Sequence, residues 1–405
     1  HLDLFKALSL SSSAKKTSLK WTEYQIDFEN IEDMPEKGDD WEKMVCLYNE
    51  NDVKASKALY NKYYYEIELR KTLTEREKIN LMNSTEPDMA KKLFGKYLSK
   101  AMNIPLSYLK VMGTDRDIVN VKNIIFPYIE FKTEKFKLIK ESFEKLQLKE
   151  NDKVEFTINV HGININFMLG GLHASPNNVI VKSNNDYIIK SFDVKSFYPN
   201  LMIRNNLCPK HLPIDIFLKL YEDMYNERIS IPKDNPRNYI LKICLNSLFG
   251  LTNDKFSFLR DRLITLSICI NGQLLLAQLI ELLIEEIPDS QLTMINTDGA
   301  EIKIPRIYEE KYYEICKQWE KLTKLELEFA DYQKMIISDV NNYISLLTSG
   351  KTKCKGKYEF KDIPLHKNKS HSIIPLSVYE YWINSKPIEE TILNHKNIFD
   401  FCSGV

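Results

Sequence analysis

The sequence predicts an α+β fold in which antiparallel hairpins and long helices share one chain. Apolar residues run along 154–172 and 292–304, and each run is interrupted by a short turn that contains glycine. Runs of this kind indicate β-hairpins. Helical patterns cover 215–228 and 237–248 on either side of a turn with two prolines. This arrangement indicates two antiparallel helices joined tightly.

Other stretches complete the predicted secondary structure. The most apolar one, 263–287, is broken by six amide and carboxylate side chains. It therefore predicts a buried or amphipathic helix rather than a membrane span. Residues 311–330 are predicted as an amphipathic helix, followed by strands at 335–347 and 358–360. Residues 71–150 are rich in lysine and glutamate and helical in pattern, and we expect a domain boundary within them.

The composition sets limits on size and charge. A chain of 405 residues can form two or three domains. Because 56 basic residues balance 56 acidic ones, a surface that binds a polyanion would need its positive charge segregated. Such a patch lies at 351–369, where seven lysines and two acids give a local charge of +5 around Tyr358. The patch fits contact with a phosphate backbone, and a solvated turn is the alternative.

The cysteines indicate the compartment. None of the seven forms a C-x-x-C pair, which argues against a zinc module or a disulfide framework and for a reducing environment. We therefore expect a cytoplasmic protein without membrane attachment. Because the chain begins at His1 and stops at Val405 without a capping element, we also expect it to be an internal piece of a longer protein.

Asp193 is the first candidate for chemistry. It follows a predicted strand at 187–192, and five residues later Tyr198 and Pro199 end the extended segment and begin a new element. A carboxylate at the point where a core strand emerges is a common place for a metal ligand or a catalytic acid. The alternative is an aspartate that caps the next turn.

Two further patterns suit phosphate chemistry. Lys242, Asn246 and Phe249 are spaced i, i+4 and i+7, so they share one face of the second predicted helix. A cation, an amide and an aromatic ring on one face suit a nucleoside triphosphate, and an amphipathic helix with incidental polar residues is the alternative. Asp298 is predicted at the exposed tip of a hairpin, where Asp-Gly could equally be plain turn chemistry.

Two residue pairs extend this set. Gly170 and Gly171 would let a DNA backbone approach closely, or would form an ordinary turn. Tyr48 and Asp52 are four residues apart on one helix face and could present a phenol and a carboxylate to a metal-bound water. The alternative is a packing tyrosine beside an aspartate in the first turn of a helix.

In this order the patterns resemble a family B DNA polymerase of the phage and mobile-element kind. Residues 193–200 (D-V-K-S-F-Y-P-N) are similar to that family's motif A, D-x-x-S-L-Y-P-S, and residues 242–250 (K-I-C-L-N-S-L-F-G) to its motif B, K-x-x-x-N-S-x-Y-G. Residues 296–299 (N-T-D-G) resemble motif C, Y-x-D-T-D-S. The remaining similarities are Lys355-Gly356-Lys357-Tyr358 to the Lys-Tyr motif that contacts primer DNA, Gly170-Gly171 to the Y-x-G-G segment, and Tyr48 with Asp52 to the third exonuclease motif, Y-x-x-x-D.

The resemblance implies a right-hand polymerase fold with an antiparallel palm sheet and helical-hairpin fingers. It also implies that the C-terminal part of a ribonuclease H-like 3′-5′ exonuclease domain precedes the palm. The implied divisions are an exonuclease remnant at 1–75, a helical connecting region at 76–152, the palm at 153–212 and 253–365, the fingers at 213–252 and the start of a thumb at 366–405.

The implied activity is template-dependent transfer of deoxynucleotides to a primer 3′-hydroxyl, with template–primer DNA and deoxynucleoside triphosphates as partners in phage or mobile-element replication. Two Mg²⁺ ions, or Mn²⁺, would be held by Asp193, Asp298 and the Val194 carbonyl. Nucleotide contacts are implied for Ser196, Phe197, Tyr198, Arg228, Lys242, Asn246 and Phe249. DNA contacts are implied for Gly170, Gly171, Gly250, Gly272, Lys355, Lys357 and Tyr358. Replication proteins or a terminal protein are further partners that the sequence leaves open.

The sequence also departs from the family pattern. Asn296 replaces the first aspartate of motif C, Phe249 replaces a tyrosine, and Gly272-Gln273 replaces the Gly-Arg of the T-x-x-G-R segment. The first two exonuclease motifs have no counterpart, so we expect no exonuclease activity. Two other function classes stay open. One is a catalytically degenerate DNA-binding scaffold, which Asn296 favours, and the other is part of an exonuclease, which Tyr48 and Asp52 favour.

Overall fold

The chain folds into two compact units. The computed structural model describes residues 2–8, 18–365 and 367–404, and residues 1, 9–17, 366 and 405 lie outside the description. One unit consists of 1–93 with 357–405, and the other of 94–356. The second unit contains every predicted site residue except Tyr48, Asp52, Lys357 and Tyr358. The domain divisions expected from the sequence stay predictions.

The helices of the described residues vary from one turn to seven. In chain order they are α1 (Leu4–Ala7), α2 (Leu19–Gln25), α3 (Trp41–Lys62), α4 (Tyr64–Glu77), α5 (Glu86–Met102), α6 (Leu106–Leu109), α7 (Glu134–Glu144), α8 (Phe197–Arg204), α9 (Ile214–Ser230), α10 (Pro236–Leu251), α11 (Arg262–Glu286), α12 (Glu309–Thr323), α13 (Ile373–Asn384) and α14 (Ile388–Asn394). Short 3₁₀ helices cover Val121–Asn123, Arg306–Tyr308, Gly356–Tyr358 and Ile398–Phe401.

The strands all belong to the unit formed by 94–356. In chain order they are β1 (Val119–Asn120), β2 (Gln147–Leu148), β3 (Glu155–Val160), β4 (Ile163–Met168), β5 (Gly171–His173), β6 (Val179–Lys182), β7 (Tyr187–Val194), β8 (Gln291–Asn296), β9 (Gly299–Pro305), β10 (Leu327–Asp339), β11 (Asn342–Leu347) and β12 (Thr352–Lys355). The predicted α+β class with antiparallel sheets is confirmed.

A seven-stranded antiparallel sheet forms the centre of this unit. Its strand order is β12-β11-β10-β7-β9-β8, and β6 pairs with β10 as well. The long strand β10 pairs with β7 through residues 327–332 and with β6 through residues 334–337. Strand β7 is rich in β-branched and aromatic residues, which favour a buried strand, and β10 and β9 cover both of its edges.

The predicted first hairpin is confirmed as a separate three-stranded sheet, β3-β4-β5. Its turn is His161-Gly162, and both residues have positive φ angles of 49° and 86°. Two successive residues in this conformation match the right-handed twist of the strands that they join, and glycine adopts it without strain. One residue past this sheet, Ala174 bridges to Ile295 of β8 and connects the two sheets.

The predicted core helix is confirmed as α11, in which 19 of 25 residues are buried. It is the one helix of the described residues that is long and apolar enough to cross a membrane, and 89% of its most apolar window is buried inside the protein. Its polar residues bind the backbone of a neighbouring loop. Asn271 accepts from the Phe126 amide at 2.7 Å, and Glu281 accepts from the Lys132 and Thr133 amides at 2.9 and 2.8 Å. These bonds compensate for burying an amide and a carboxylate.

The predicted helical hairpin is confirmed as α9 and α10. Asn235 caps α10 by accepting from the Arg237 amide, and Pro236 occupies its first turn, where no donor is lost. The guanidinium of Arg237 makes two bonds to the Glu227 carboxylate at 2.7 and 2.8 Å. The Asn238 side chain donates to the carbonyls of Arg228 and Ile231, so the tip of the hairpin is closed by polar contacts.

Three predictions of secondary structure are wrong. The strand predicted at 335–347 turns at 340–341 and is divided between β10 and β11. The other two depend on pairing between distant segments. The amphipathic helix predicted at 311–330 ends at Thr323, and Leu327 already begins β10. The strand predicted at 358–360 lies earlier, at 352–355, and is followed by a 3₁₀ helix. In both cases long-range pairing decides the outcome: residues 327–332 bind β7 and residues 352–355 bind β11. Local apolar patterns do not contain that information.

The unit formed by 1–93 with 357–405 contains helices and no strand among its described residues. Its two chain segments are joined by polar contacts: Tyr24 donates to the Cys402 carbonyl at 2.8 Å, and Lys369 pairs with Asp27. Leu59 and Leu365 are buried together in a small apolar cluster.

Asp261 connects both ends of the helical hairpin to the rest of its unit. Its fully buried carboxylate accepts two bonds from Arg116, both at 2.9 Å, and one from the Lys210 amide at 3.0 Å. It also caps α11 by accepting from the Leu263 amide. Lys210 precedes α9 and Asp261 follows α10, so one carboxylate holds the segments on both sides of the hairpin.

We predict that Asp261→Ala lowers the free energy of unfolding by about 3–5 kcal/mol, because it leaves the Arg116 charge and two amides without their partner. Urea denaturation measures this loss. Asp223→Ala, which removes an exposed pair with Lys219 on α9, is the control and should change stability by no more than about 0.5 kcal/mol. Equal effects of the two variants would contradict the role of Asp261.

Candidate active site

The sheet brings Asp193 and Asp298 together. Asp193 is the penultimate residue of β7 and lies opposite Gly299, the first residue of β9. The Val194 amide donates to the Asp298 carbonyl at 2.7 Å. Asp298 is exposed in the two-residue turn between β8 and β9, as predicted from the sequence. The two carboxylates therefore lie at the same end of two adjacent strands.

Gly299 is required by close approach rather than by turn geometry. A Cβ atom at this position would collide with the Phe192 carbonyl oxygen and with Oδ1 of Asp193. Only glycine lets β9 come this close to β7 beside the Asp193 carboxylate. The Asp-Gly sequence thus does more than form a turn, because its glycine makes room for the other acid.

Both acids line a cavity of about 690 Å³. Burial, followed by the charge of Asp298, raises the pKa of Asp193. A third acid, Glu301, is buried in the wall of the same cavity, and burial together with the charge of Asp193 raises its pKa to about 8. The Lys353 ammonium acts in the opposite direction on both groups. The cavity is therefore a place where negative charge accumulates without full compensation.

Glu301 and Lys353 are site residues that the sequence analysis missed. Glu301 pairs with Ser191 across β7 and β9, and its Oε2 atom has no hydrogen-bond partner among the described residues. Lys353 lies on β12 and donates to the Tyr332 hydroxyl at 3.0 Å. Strand periodicity could have identified Glu301. Residues 299 and 301 of β9 share one face of the sheet, and residue 299 lies opposite Asp193. No local sequence pattern could have identified Lys353, because only the order of strands in the sheet brings β12 to this cavity.

The oxygen donors of this site fit a magnesium ion. Carboxylates are the hard ligands that Mg²⁺ prefers, and a nearby cation would offset the repulsion between Asp193 and Asp298. No group of three or more His, Cys, Asp or Glu side chains among the described residues could hold a metal. A site with two carboxylates agrees with the way Mg²⁺ is usually bound, through one or two protein carboxylates, waters and substrate phosphates.

Motif A continues from β7 into α8 and contacts the helical hairpin. Ser196 adopts a left-handed φ of 46° between the strand and the helix. The Tyr198 ring lies 4.6 Å from the Phe249 ring of α10, measured between centroids. Asn200 donates to the Lys195 carbonyl at 2.9 Å and to the Tyr225 hydroxyl of α9 at 3.3 Å. Both helices of the hairpin are thus connected to the segment that contains Asp193.

The helical hairpin presents the predicted polar face. Lys242 and Asn246 are exposed on α10, and Phe249 is partly exposed on the same face. Arg228 is partly exposed near the end of α9, and its carbonyl accepts from the Asn238 side chain of α10. The four residues therefore lie on two helices that pack side by side. Gly250 follows Phe249 on α10 and has open space at its Cβ position.

Three predicted contact residues are buried in packing contacts. Phe197 and Gly272 are buried against each other, since a Cβ at Gly272 would lie 3.4 Å from the Phe197 ring. Both residues take part in packing α8 on α11, and the nucleotide contact of Phe197 and the DNA contact of Gly272 stay predictions. Gly171 is buried against the Thr297 side chain, at a φ of 144° that favours glycine. Gly171 therefore supports the turn that contains Asp298. Gly170, in contrast, is exposed and has open space at its Cβ position.

The residues of the Lys-Tyr motif fall in different units. Lys355 is exposed on β12, pairs with Tyr343 of β11, and lines the cavity of Asp193 and Asp298. Lys357 and Tyr358 belong to the unit formed by 1–93 with 357–405. There the Lys357 ammonium lies 5.4 Å from the centroid of the Tyr358 ring.

Tyr48 and Asp52 share one face in the middle of α3, which excludes a position in its first turn. Burial and the negative charges of Asp52, Glu23 and Glu32 raise the pKa of Tyr48. The tyrosine thus lies near three carboxylates, two of which the sequence analysis did not single out. This group belongs to the other unit and is not part of the cavity that contains Asp193.

Comparisons with known proteins found little. No protein-family model matches the sequence, and no curated protein matches it. Among solved structures, the chain is similar to the family B DNA polymerase from the hyperthermophilic archaeon Pyrobaculum calidifontis, with a TM-score of 0.45 and 13% identity. The similarity covers 97% of this chain and 49% of that one, so this chain spans about half of the polymerase's length. A likeness this distant does not establish a family, and the function is inferred from the site itself.

We predict that Gly299→Ala lowers the free energy of unfolding by about 1–3 kcal/mol or more, because the added methyl group overlaps Asp193 and the β7 backbone. Thermal unfolding measures the effect. Gly250→Ala is the matched control: its methyl group meets no atom within 4 Å, and alanine favours a helix by up to about 1 kcal/mol. Unchanged stability in Gly299→Ala would show that β7 and β9 can separate at this point.

Proposed function

We propose that this chain is the polymerase part of a family B-type DNA polymerase that extends a primer on a template. The observation that carries the proposal is the pair Asp193 and Asp298, which lie at the ends of adjacent antiparallel strands beside a cavity. The contact between Tyr198 and Phe249 supports it further, because it joins the strand of the first acid to a helix with an exposed cation, Lys242.

In this proposal Asp193, Asp298 and the Val194 carbonyl hold divalent cations, Mg²⁺ or Mn²⁺. When bound, the cations would lower the pKa of the primer 3′-hydroxyl and neutralise charge on the triphosphate during an in-line displacement. Crowding of the two carboxylates supports this role, since their repulsion favours a bound cation. Glu301 is buried behind Asp193, and a pKa of about 8 keeps this carboxyl mostly protonated at neutral pH, so it adds little charge to the site.

The remaining residues would orient the nucleotide. Lys242 and Arg228 contact the phosphates from the two helices of the hairpin, and Asn246 lies one turn from Lys242 toward Phe249. The Tyr198 ring supports the sugar, and its packing on Phe249 holds it in place. Lys355 contacts the phosphate backbone of the primer from the edge strand β12.

A catalytically degenerate DNA-binding scaffold is the second candidate. Asn296 favours it, because this amide lines the cavity where the family pattern has a carboxylate. A scaffold would bind primer–template DNA without extending it. An exonuclease role receives support only from Tyr48 and its neighbouring carboxylates in the other unit.

We predict that Asp298→Asn reduces primer extension with Mg²⁺ by at least about 100-fold, because it removes one of the two anionic ligands that hold the cations. Extension of a labelled primer and binding of Mn²⁺ are both measured, and both should be lost. Thermal unfolding of the variant verifies that it is folded.

Asp186→Asn is the control for this variant, since Asp186 is exposed at the opposite end of β7 and should leave extension unchanged. Wild-type extension by Asp298→Asn would refute the assignment of the cation site. DNA binding without extension by the wild-type chain would favour the scaffold.

We predict that Tyr198→Ala raises incorporation of ribonucleotides relative to deoxyribonucleotides by about tenfold or more, because the ring that blocks the 2′-hydroxyl is removed. Competition between the two triphosphates in single-nucleotide extension measures the ratio. Tyr198→Phe keeps the ring and its packing on Phe249, so its ratio should match that of the wild type. If Tyr198→Ala has the wild-type ratio, another residue discriminates between the sugars.

A further inference from the structure

A second polar cavity lies beside the candidate active site. It has a volume of about 380 Å³ and is formed by the three-stranded sheet, the segment after β5 and the turn between β10 and β11. Val340, in that turn, lines both this cavity and the one that contains Asp193. The two cavities are therefore neighbours within one unit.

Part of one face of the three-stranded sheet is built from uncharged polar side chains, and the exposed Glu155 lies on the same face beyond them. We name this part the amide face, and its members are Thr157, Asn159, Asn164, Asn166 and His173. They are linked across the strands: Thr157 donates to the Asn166 side chain at 2.9 Å, and Asn159 donates to the Asn164 side chain at 2.8 Å. Asn166 lies opposite His173 in the register of β4 and β5.

The amide face contains hydrogen-bonding groups that have no partner among the described residues. In both linked pairs the asparagine of β4 accepts through its carbonyl oxygen, so the NH₂ groups of Asn164 and Asn166 have no partner among the described residues. The Nδ1 atom of His173 is buried and also lacks a partner in the described part of the chain. All three residues line the cavity. Unused polar groups that converge on a cavity point to a polar ligand.

The charge of the two cavities differs. Lys353 and Lys355 line the cavity of Asp193, whereas no lysine or arginine occurs among the described residues that line the second cavity. Its one carboxylate, Asp339, is occupied by bonds from the Asn341 amide and the Asn342 side chain, each at 2.9 Å. A site without a basic side chain does not compensate phosphate charge. It suits the acceptor atoms of sugars and bases.

We propose that the amide face binds the template strand of the primer–template duplex through hydrogen bonds to base edges, an inference that rests on the proposed function. In this proposal the primer end lies at Asp193 and Asp298, beside the basic strand β12, and the opposite strand crosses the neighbouring cavity, which no lysine or arginine lines among the described residues. Every base pair offers acceptor atoms in the minor groove, so amide donors can bind any sequence there.

The connection to the active site is direct. Strand β5 ends the three-stranded sheet, and its Gly171 is buried against Thr297, the residue before Asp298. Ala174 bonds to Ile295 in both directions, at 3.2 and 2.8 Å. A strand held on the amide face is thereby positioned relative to the turn that contains Asp298.

The test compares DNA binding of the wild-type chain and the double variant Asn164→Ala with Asn166→Ala. Affinity for a fluorescent primer–template is measured by anisotropy in EDTA at several salt concentrations. We expect the double variant to bind about tenfold more weakly with an unchanged salt dependence, because the lost contacts are neutral. Lys355→Ala should instead reduce the slope of log K against log salt by about 1. Asn61→Ala, an exposed asparagine on α3, should bind like the wild type.

A second measurement uses the wild-type chain and so does not depend on the folding of a variant. 5-Iodouracil is placed in either the template or the primer strand near the primer terminus, and cross-linked peptides are identified by mass spectrometry. Cross-links from the template strand to residues 159–177 support the proposal. Cross-links to that segment from the primer strand alone, or wild-type affinity of the double variant, overturn it while leaving primer extension intact. Absence of DNA binding by the wild-type chain would overturn both this inference and the proposed function.

Discussion

The pairing of β7 with both of its neighbours is the constraint on which the candidate site depends. Toward β9 it places Asp193 against Gly299, and on the opposite face of the strand the buried Lys190 binds Glu309 at 2.8 Å and Asp331 at 2.7 Å. A slip of one residue would move Lys190 to the cavity and Asp193 to the helices. Burying an unpaired ammonium costs several kcal/mol, so this ion group holds the register that aligns the two acids.

Electrostatic strain at the cavity follows from that register. Burial and the charge of Asp298 raise the pKa of Asp193, burial and the charge of Asp193 raise the pKa of Glu301, and Lys353 offsets both shifts only in part. A fold selected for stability alone would gain by replacing such acids, because repulsion and burial both disfavour their charged forms. The cation proposed for this site would relieve the repulsion between Asp193 and Asp298.

The neighbouring elements define what can enter this cavity. Asp261 fixes the segments on both sides of the helical hairpin, and the Tyr198 and Phe249 rings connect the hairpin to α8. On another side, Gly171 supports the turn of Asp298. The cavity is thus lined by the basic edge strand β12, connected through α8 to the helical hairpin, and next to the second cavity, which the amide face lines.

Much of this could be predicted from local pattern. Periodicity and turn residues sufficed for β7, for the hairpin that holds Asp298 and for the face of α10 with Lys242, because each lies within a single element. Only the tertiary structure decided which elements became neighbours. Gly171 and Gly272 have the same appearance in sequence as glycines that admit a ligand, yet Gly171 makes room for the Thr297 side chain and Gly272 is buried against Phe197. Lys353 and Glu301 reached the cavity through strand order and register, which depend on contacts between residues far apart in the chain.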